Sequence, residues 1–410
     1  MVLDLICHQN SRDDVVTFEI PYCLMKRRIF MYTNKFKTRQ EFCKNMNIPK
    51  SKKFVIGLDV GYSAVKCFYE KGYFCYPSYV RKLDSDLFIY GEQDMLYRDL
   101  ETGNQYIVGR TAMEMISSNE TNITESEMFS RNRYRSKNFK ILCDLAIAFA
   151  LDCKNDEREI VIQTGLPSAY EKADTPAIKK TLAKPSHFQV RIGNGEWKEY
   201  NFSVEQRNIF VMPQPSGSLY SALIQQDGTY IPDAKRILFN NTLVMDIGFG
   251  TFDYFGIKKQ KAVCKESIDD VGMKQVLKET SSRIMDSLHE EIRVPALQSA
   301  LGTGMIVCTD LDEMKSEEKP LAPFLEDANN KVFKDAIDSA YNITGGFADY
   351  NFILVTGGTG EAWLDKIKSY FSGFKTVRIM TGNENDHLPM IYSNARGYYM
   401  YRYMLSGKTK

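Results

Sequence analysis

A motif that occurs twice constrains the fold of this chain more than any other feature of the sequence. The copies are GLDVGYSAVKCF at 57–68 and VMDIGFGTFDYF at 244–255. Each copy has an apolar run, an aspartate, an aliphatic residue, a glycine, an aromatic residue and a small residue, followed by a second apolar run. Asp59 matches Asp246. Two such strand–turn–strand units predict two similar domains that face each other.

Length and composition agree with two soluble domains. The chain has 410 residues, of which 43% are hydrophobic and 26% are charged. This length predicts about two domains, and the composition is typical of globular proteins. The formal net charge is +1, so the chain as a whole has no general attraction to nucleic acid or to an anionic membrane.

Cysteine and histidine usage excludes several classes of site. The nine cysteines are widely spaced and form no CxxC pair, and the four histidines do not cluster with them. Zinc and redox motifs are therefore absent, and the pattern is typical of the reducing cytoplasm. No run of about 18 apolar residues and no cationic leader is present, so neither a transmembrane helix nor a signal peptide is expected.

From residue 54 onward, segments of strand type alternate with segments of helical spacing, which favours an α/β architecture. Residues 186–212 alternate between apolar and polar side chains, as antiparallel strands do. Buried strands are predicted at 54–60, 159–167, 243–257 and 352–356, and helices at 136–154, 270–294 and 324–345.

Two basic stretches stand apart from this pattern. Residues 26–53 include ten basic residues and a single acidic one, Glu41. This part is interpreted as a solvated or surface-packed extension, with a contact to DNA, an acidic partner or a neighbouring subunit as the alternative; a translation start at Met46 is a third possibility. A membrane-surface helix at 22–31 is disfavoured. The stretch 130–140 is interpreted as a solvated loop, with a subunit or adaptor contact as alternatives.

The repeated motif has the chemistry of a phosphate site. An aspartate at the end of a strand, followed by a glycine turn, lets backbone N–H groups approach a phosphate. Asp59 and Asp246 would both repel a polyphosphate, so they require a divalent cation between them, and Mg²⁺ held through water is the natural choice. Lys66 and Asp253 occupy matching positions on the second strands. Each is either part of the site or an ordinary strand residue.

A third glycine turn, TGGTGE at 356–361, follows a predicted strand and precedes a helix. Such a turn admits a base or a ribose close to the backbone, although a plain structural turn is the alternative.

Together, these motifs resemble those of the superfamily of actins, heat-shock chaperones and sugar kinases. VIGLDVGYSAVKC resembles the first phosphate motif, LVMDIGFGTFDYF the second, and ILVTGGTGEAWL the adenosine motif. EIVIQTGLPSAY (159–170) and IYSNARGYYMYRYML (391–405) resemble the two connecting segments. The GLP sequence and the Asn-Ala-x-Gly start of the last segment resemble the corresponding segments of the ParM-type bacterial actins, which segregate plasmids. The resemblance covers about 54–405.

This resemblance implies an α/β, actin-like fold: a duplicated, ribonuclease H-like pair of domains with a nucleotide cleft between them. Domain I would span 54–238 with smaller subdomain inserts and be completed by a C-terminal helix at 391–410. Domain II would span 239–390, and 1–53 would be an extension of unknown role.

The resemblance also implies roles for individual residues. Asp59 and Asp246 would hold Mg²⁺ through water, and Gln214 would orient the attacking water, because a glutamine cannot abstract a proton at neutral pH. Pro213, Pro215 and Gly217 near it are either hinge or loop residues. The nucleotide, ATP or GTP, would be bound by Gly61, Tyr62, Ser63, Lys66, Gly248, Phe249, Gly250, Thr251, Gly272, Gly357, Gly358, Thr359 and Glu361.

The expected function is therefore a cytoplasmic, filament-forming protein that hydrolyses ATP or GTP slowly to time assembly and disassembly. Its partners would be other copies of itself and a DNA-binding adaptor that links the filament to a plasmid, without a direct membrane anchor. A small-molecule kinase and a membrane-associated cell-shape or division scaffold are the alternatives. A chaperone is disfavoured, because only about 50 residues follow the third glycine turn.

Overall fold

The computed structural model describes residues 32–44, 46, 48, 50–84, 91–115, 130–151, 157–310 and 314–406. The segment 22–31 and residues 407–410 of the predicted last helix lie outside the described residues. The strands are β1 (Glu41–Lys44), β2 (Phe54–Val60), β3 (Ala64–Tyr69), β4 (Gly72–Pro77), β5 (Val80–Leu83), β6 (Met95–Asp99), β7 (Gln105–Val108), β8 (Ile160–Leu166), β9 (Ser186–Ile192), β10 (Lys198–Phe202), β11 (Ile209–Pro213), β12 (Thr242–Ile247), β13 (Thr251–Lys258), β14 (Lys261–Asp269), β15 (Met305–Asp310), β16 (Lys315–Pro320), β17 (Phe352–Thr356) and β18 (Arg378–Thr381).

The α-helices alternate with these strands, as the sequence predicts. They are α1 (Arg110–Glu114), α2 (Lys137–Leu151), α3 (Glu171–Leu182), α4 (Gln214–Leu223), α5 (Ala234–Phe239), α6 (Met273–Leu288), α7 (Val294–Ala300), α8 (Ala322–Thr344), α9 (Gly358–Tyr370) and α10 (Ser393–Ser406). None of the helices in the described part of the chain is long and apolar enough to cross a membrane.

The first main sheet has the strand order β1-β4-β3-β2-β8-β11. β2 pairs antiparallel with β3 and parallel with β8. β2 is almost entirely buried because helices cover both of its faces, α2 and α10, and this explains its continuous apolar sequence. At Gly57 the helix is so close that a β-carbon would lie 2.1 Å from the carbonyl oxygen of Ala395, so only glycine fits.

The second main sheet repeats this arrangement, with the order β14-β13-β12-β17-β18. β12 pairs antiparallel with β13 and parallel with β17. The matching extends to single residues: Asp59 lies opposite Lys66 in the first hairpin, and Asp246 lies opposite Asp253 in the second. The internal repeat predicted from the sequence is therefore present. The domain boundaries predicted from it stay a prediction.

The third sheet has the order β10-β9-β6-β7-β5, and its inward side chains join the core of the first sheet. The sequence predicts antiparallel strands throughout 186–212. This is correct for β9 and β10 but wrong for β11, which pairs parallel with β8 in the first main sheet. Alternation of apolar and polar residues reports which face of a strand is buried, but not the direction of its neighbour.

Part of the N-terminal extension belongs to the folded body. β1 pairs antiparallel with β4 at the edge of the first sheet, with Glu41 opposite Cys75 and Lys44 opposite Gly72. The hydroxyl of Tyr392 donates a hydrogen bond of 2.9 Å to Glu41. Residues 41–44 thus match a surface-packed extension better than a solvated arm.

The basic stretch at 130–140 is not a solvated loop, so that interpretation is wrong. Arg131 forms two hydrogen bonds of 2.9 Å with the carboxylate of Asp174. Arg133 is buried and donates to the carbonyl oxygen of Gly61 at 2.9 Å, and Lys140 is buried in an ion pair with Asp144. Two charges of this stretch, those of Arg133 and Lys140, are buried in folded structure, which composition alone does not reveal.

Two helices cross between the main sheets. α4 packs against β12 of the second sheet, α10 packs against β2 of the first, and the two helices pack against each other. At the crossing, a β-carbon on Gly217 would lie 2.8 Å from the carbonyl oxygen of Asn394. Gly217 and Pro215 lie within α4 and are helical rather than loop residues. Tyr398 and Tyr399 of α10 are buried.

Candidate functional site

The two repeated hairpins and the third glycine turn meet in one cleft. Residues of both main sheets line it together with the first turn of α4 and the first turn of α9. Eleven residues singled out from the sequence are among those that line the cleft: Asp59, Ser63, Lys66, Gln214, Asp246, Gly248, Phe249, Gly357, Gly358, Thr359 and Glu361.

The first hairpin supplies a carboxylate that carries its own counter-charge. Asp59 is the second-last residue of β2 and is only 3% exposed. Nζ of Lys66, directly across the hairpin, lies 3.2 Å from Oδ2 of Asp59. The turn between them is held from outside, because the carbonyl oxygen of Gly61 accepts hydrogen bonds from Arg133 and from the hydroxyl of Ser78, each 2.9 Å long. Lys66 thus faces the cleft rather than the outer surface.

The second hairpin supplies two buried carboxylates instead. Burial, followed by repulsion from Asp253, raises the pKa of Asp246 to about 7, although a hydrogen bond of 2.7 Å from Nδ2 of Asn394 opposes the shift. Burial also raises the pKa of Asp253 to about 6. Asp246 can therefore change its charge near neutral pH.

Asp253 is occupied by structural hydrogen bonds. It accepts from the hydroxyl of Thr251 at 2.8 Å, from the backbone amide of Ser168 at 2.9 Å, and from the hydroxyl of Ser267. The bond from Ser168 joins the segment after β8 to the second sheet. Asp253 thus connects the two halves of the molecule, and this use explains why it does not face the cleft.

Five residues predicted to bind nucleotide do not line the cleft: Gly61, Tyr62, Gly250, Thr251 and Gly272. They shape the turns that do. Tyr62 packs on Gly250, where a β-carbon would lie 2.8 Å from the ring, and Arg133 covers Tyr62 at 4.8 Å. At Gly272, φ is +100° and a β-carbon would lie 2.4 Å from the carbonyl oxygen of Gly248. Contact between the turns through side chains is a tertiary property that the local motif does not encode.

The third glycine turn lies against the second hairpin. At Gly357, φ is +87°, and a β-carbon would lie 2.3 Å from the carbonyl oxygen of Ile247 and 2.7 Å from Oδ1 of Asp246. Only glycine meets both conditions. The hydroxyl of Thr359 donates to the carbonyl oxygen of Gly248 at 2.7 Å, which ties the two turns together.

Gln214 is the first residue of α4 and lines the cleft while half-buried. The Tyr398 hydroxyl donates to its carbonyl oxygen at 3.4 Å. Its side-chain amide has both a donor and an acceptor, so it can orient a water molecule but cannot remove a proton from it.

Sequence reasoning missed Asn394 as a member of the site. Its Oδ1 accepts from the amide and the hydroxyl of Ser218 at 3.1 and 2.6 Å, and its Nδ2 donates to Asp246. Asn394 therefore orients Asp246 from the crossing of α4 and α10. Its place in the Asn-Ala-x-Gly sequence was the available signal, and Met390 and Ile391, which also line the cleft, come just before it.

Sequence reasoning also missed the basic residues before β1. Lys35, Phe36, Lys37, Thr38 and Arg39 all line the same cleft. The excess of basic residues in this segment was the signal.

The acidic residues of the cleft suit a hydrated cation rather than a directly bound one. Within the described residues, no group of three or more His, Cys, Asp and Glu side chains is placed to hold a metal ion. Asp59 and Asp246 are both buried at the cleft, one from each hairpin. A Mg²⁺ ion that keeps its waters fits such a pair, because it needs only one or two carboxylates from the protein and takes its remaining ligands from water and phosphate.

Comparison with known proteins agrees with this architecture. Residues 57–217 match the family described as the N-terminal domain of actin-like proteins. A search of curated proteins finds no significant match.

Solved structures show the same fold at low sequence identity. A non-polymerisable quadruple mutant of pCBH ParM is 19% identical, with a TM-score of 0.63 over 85% of this chain and 99% of that one. A 15-stranded ParM filament from Clostridium botulinum is 19% identical, with a TM-score of 0.63 over 85% of this chain and 98% of that one. An archaeal actin homologue in complex with ADP is 20% identical, with a TM-score of 0.55 over 85% of this chain and 99% of that one. The chain thus has the actin-like fold, matches the N-terminal domain of the actin-like proteins at 57–217, and is similar to ParM and other bacterial actin homologues.

Proposed function

We propose that this chain is a nucleotide-dependent, filament-forming protein that hydrolyses ATP or GTP and uses the hydrolysis to time assembly and disassembly. The observation that carries the proposal is the convergence of Asp59 and Asp246, from two copies of one motif, on a cleft that also contains Gln214 and the Gly357–Gly358 turn.

Each wall of the cleft has a distinct task in this proposal. The turns at Ser63 and Gly248 bind phosphates, and the turn at Gly357–Gly358 lies beside the nucleoside. Asp59 and Asp246 would hold a Mg²⁺ ion through its waters, and the ion would supply charge neutralisation when bound. Gln214 orients water toward the terminal phosphate. Because Gln214 cannot act as a general base, hydrolysis is expected to be slow, which suits an assembly timer.

Self-assembly is proposed from the relatives. One similar structure is a 15-stranded ParM filament, and another, with a TM-score of 0.54, is a filament of Alp12. By analogy with ParM, the filament would act in the cytoplasm and move or segregate plasmid DNA. An adaptor protein would make the DNA contact, because the chain carries a net charge of only +1.

The proposal is tested by following light scattering and phosphate release after ATP or GTP is added with Mg²⁺. Scattering should rise on addition and decay as phosphate appears. Asp246→Asn should remain folded and bind Mg²⁺–nucleotide poorly, with phosphate release reduced at least a hundredfold. Asp338→Asn removes an exposed carboxylate on α8 and serves as the matched control, with unchanged kinetics.

Two results would contradict the proposal. Undiminished hydrolysis in Asp246→Asn would show that the cleft around Asp246 is not the site of hydrolysis. Phosphate transfer that starts only when a sugar or another small acceptor is added, without any change in scattering, would favour the kinase alternative.

A further inference from the structure

Residues 32–40, here called the strap, pass along the cleft that contains Asp59 and Asp246. The strap begins against the core of the second main sheet, where the rings of Tyr32 and Phe36 are partly buried. It ends at β1, which belongs to the first main sheet. Between these ends, residues 35–39 line the cleft. The strap therefore joins the two halves of the molecule at the nucleotide site itself.

Buried amides of the second half hold the strap in place. The hydroxyl of Tyr32 accepts a hydrogen bond of 3.3 Å from Nδ2 of Asn329, whose Oδ1 accepts from the indole N–H of Trp363 at 2.6 Å. Asn329 is only 2% exposed. The Asn329 amide thus donates to the strap through Nδ2 and accepts from the core through Oδ1. Detachment of the strap would leave the buried Nδ2 donor without this partner, which costs free energy.

A second buried amide joins the strap to both halves at once. Nε2 of Gln298, in α7, donates to the hydroxyl of Thr38, and its Oε1 accepts from the hydroxyl of Tyr79 at 2.9 Å. Tyr79 follows β4 of the first sheet, and Gln298 is 2% exposed. The Gln298 side chain thus contacts the first half through Tyr79 and holds the middle of the strap through Thr38.

The last residue of the strap is also held. Oε1 of Gln40 accepts a hydrogen bond of 3.0 Å from the amide of Arg110, and its Nε2 donates to the carbonyl oxygen of Gln93 at 3.2 Å. With both ends and the middle fixed, the backbone of the strap has a defined course over the cleft, and its side chains are presented there by folded structure.

The strap brings three cations to this place. Lys35, Lys37 and Arg39 are exposed and line the cleft together with Asp59 and Ser63. Within the described residues none of the three forms an ion pair. Unlike Lys66, which is paired with Asp59, these cations are available to an anion that enters the cleft. Ammonium and guanidinium groups form strong, charge-assisted hydrogen bonds with phosphate oxygens.

We propose that the strap is a third wall of the nucleotide site, in which Lys35, Lys37 and Arg39 bind the polyphosphate of a nucleoside di- or triphosphate. This inference rests on the nucleotide site of the proposed function. It has a kinetic consequence: because the strap lies along the cleft while fixed to both halves, we expect it to hinder the entry and release of nucleotide until it detaches from one of them. The strap therefore strengthens binding and slows exchange.

Two variants separate these effects. The charge variant Lys35→Gln/Lys37→Gln/Arg39→Gln keeps the strap and its anchors, and the truncation variant removes residues 1–40 and keeps β1. The probe is methylanthraniloyl-ADP with Mg²⁺; its affinity is read from a fluorescence titration and its release from a stopped-flow chase with unlabelled ADP. Circular dichroism confirms that each variant is folded.

The charge variant should bind the probe at least tenfold more weakly, whereas its affinity for adenosine, which has no phosphate, stays within twofold. The truncation variant should release the probe at least tenfold faster. Lys334→Gln/Lys368→Gln/Lys375→Gln removes three exposed charges elsewhere and is the matched control, with affinity and release rate within twofold of the parent chain.

Affinity and release that stay within twofold of the parent in both variants would overturn the role of the strap and leave the nucleotide site standing. If the full chain, the charge variant and the truncation variant all fail to bind the probe, the proposed nucleotide site fails, and the role of the strap fails with it. A truncation that unfolds leaves the charge variant to decide the question.

Discussion

The helices α4 and α10 touch backbone to backbone where Gly397 meets Gly217: a β-carbon on Gly397 would lie 1.7 Å from the carbonyl oxygen of Gly217 and 2.9 Å from the amide of Ser221. Backbone atoms cannot turn aside as a flexible side chain can. The separation of the two helices, and with it the position of Asn394 beside Asp246, is therefore set by the absence of a methyl group at Gly397.

Gly397→Ala should lower the free energy of unfolding by about 1–3 kcal/mol, because overpacking at a backbone contact outweighs the gain in helix propensity. Urea unfolding followed by circular dichroism measures the change. Gly373→Ala is the control, since a β-carbon there would meet no atom within 4 Å and stability should stay within about 0.5 kcal/mol. Equal stability of the two variants would show that the helices can separate without cost.

Asp246→Asn should stabilise the nucleotide-free protein more at pH 8 than at pH 5. The pKa of Asp246 is raised to about 7, far above that of an unfolded aspartate, so the folded state holds its proton more tightly. The free energy of unfolding therefore falls as pH rises from about 4 through 7 and then levels off. Asparagine carries no charge at any pH and removes this fall. Thermal unfolding at both pH values checks it; the same gain at pH 5 and pH 8 would contradict it.

Asn394→Asp should shift the pH dependence of Mg²⁺–nucleotide binding upward. In the parent chain, affinity should rise between pH 6 and pH 8 as Asp246 loses its proton. A carboxylate in place of the Asn394 amide removes a hydrogen bond that favours ionised Asp246 and adds a like charge beside it, so the midpoint moves to higher pH.

Titration calorimetry over this pH range measures the shift in the Asn394→Asp profile. Asn394→Ser, which loses the hydrogen bond without adding a charge, should fall between the two. A midpoint that does not move in Asn394→Asp would mean that a group other than Asp246 controls the profile.

Arg396→Met should lower the free energy of unfolding by about 3–5 kcal/mol, the range for a buried ion pair that loses one partner. Nε of Arg396 lies 2.9 Å from Oδ2 of Asp386, and its other nitrogens donate to the carbonyl oxygens of Ser221 and Ile224 at 2.7 and 3.1 Å. Without the arginine, the carboxylate of Asp386 loses its cationic partner, and the carbonyl oxygens at the end of α4 lose a hydrogen-bond donor.

A double-mutant cycle with Asp386→Asn isolates the ion pair. The double variant should lose less stability than the sum of the two single losses, because no charge is then left without a partner. Additive losses would assign the effect to packing alone.

A feature of this fold or site could be predicted from the sequence when the residues that form it lie close together in the chain. The Asp-x-Gly turns at Asp59 and Asp246 and the turn at Gly357 are local, since strand, carboxylate and glycine lie within a few residues, and residues of all three line the cleft. The same applies to the repeat, because the register between paired strands follows from the hairpin. The actin-like fold was therefore accessible from the motifs and their order.

The parts that were missed depend on partners far away in the chain. Asn394 joins the site only because α10 returns to the first sheet, and Arg133 supports Gly61 across 72 residues. The course of residues 35–39 along the cleft is likewise tertiary. Composition counts charges, but it does not show which of them are enclosed by other segments.

The pairing of Asp59 with Lys66, set against the pairing of Asp246 with Asp253, gives the cleft an electrical direction. The two hairpins pair their strands in the same way around the aspartate, but the residue opposite it differs: a lysine neutralises Asp59, whereas a second buried carboxylate stands behind Asp246. If the cleft binds a nucleotide with its cation as proposed, the ligand would meet a neutralised carboxylate on one side and one without a cationic partner across the hairpin on the other, which favours a single orientation in the cleft.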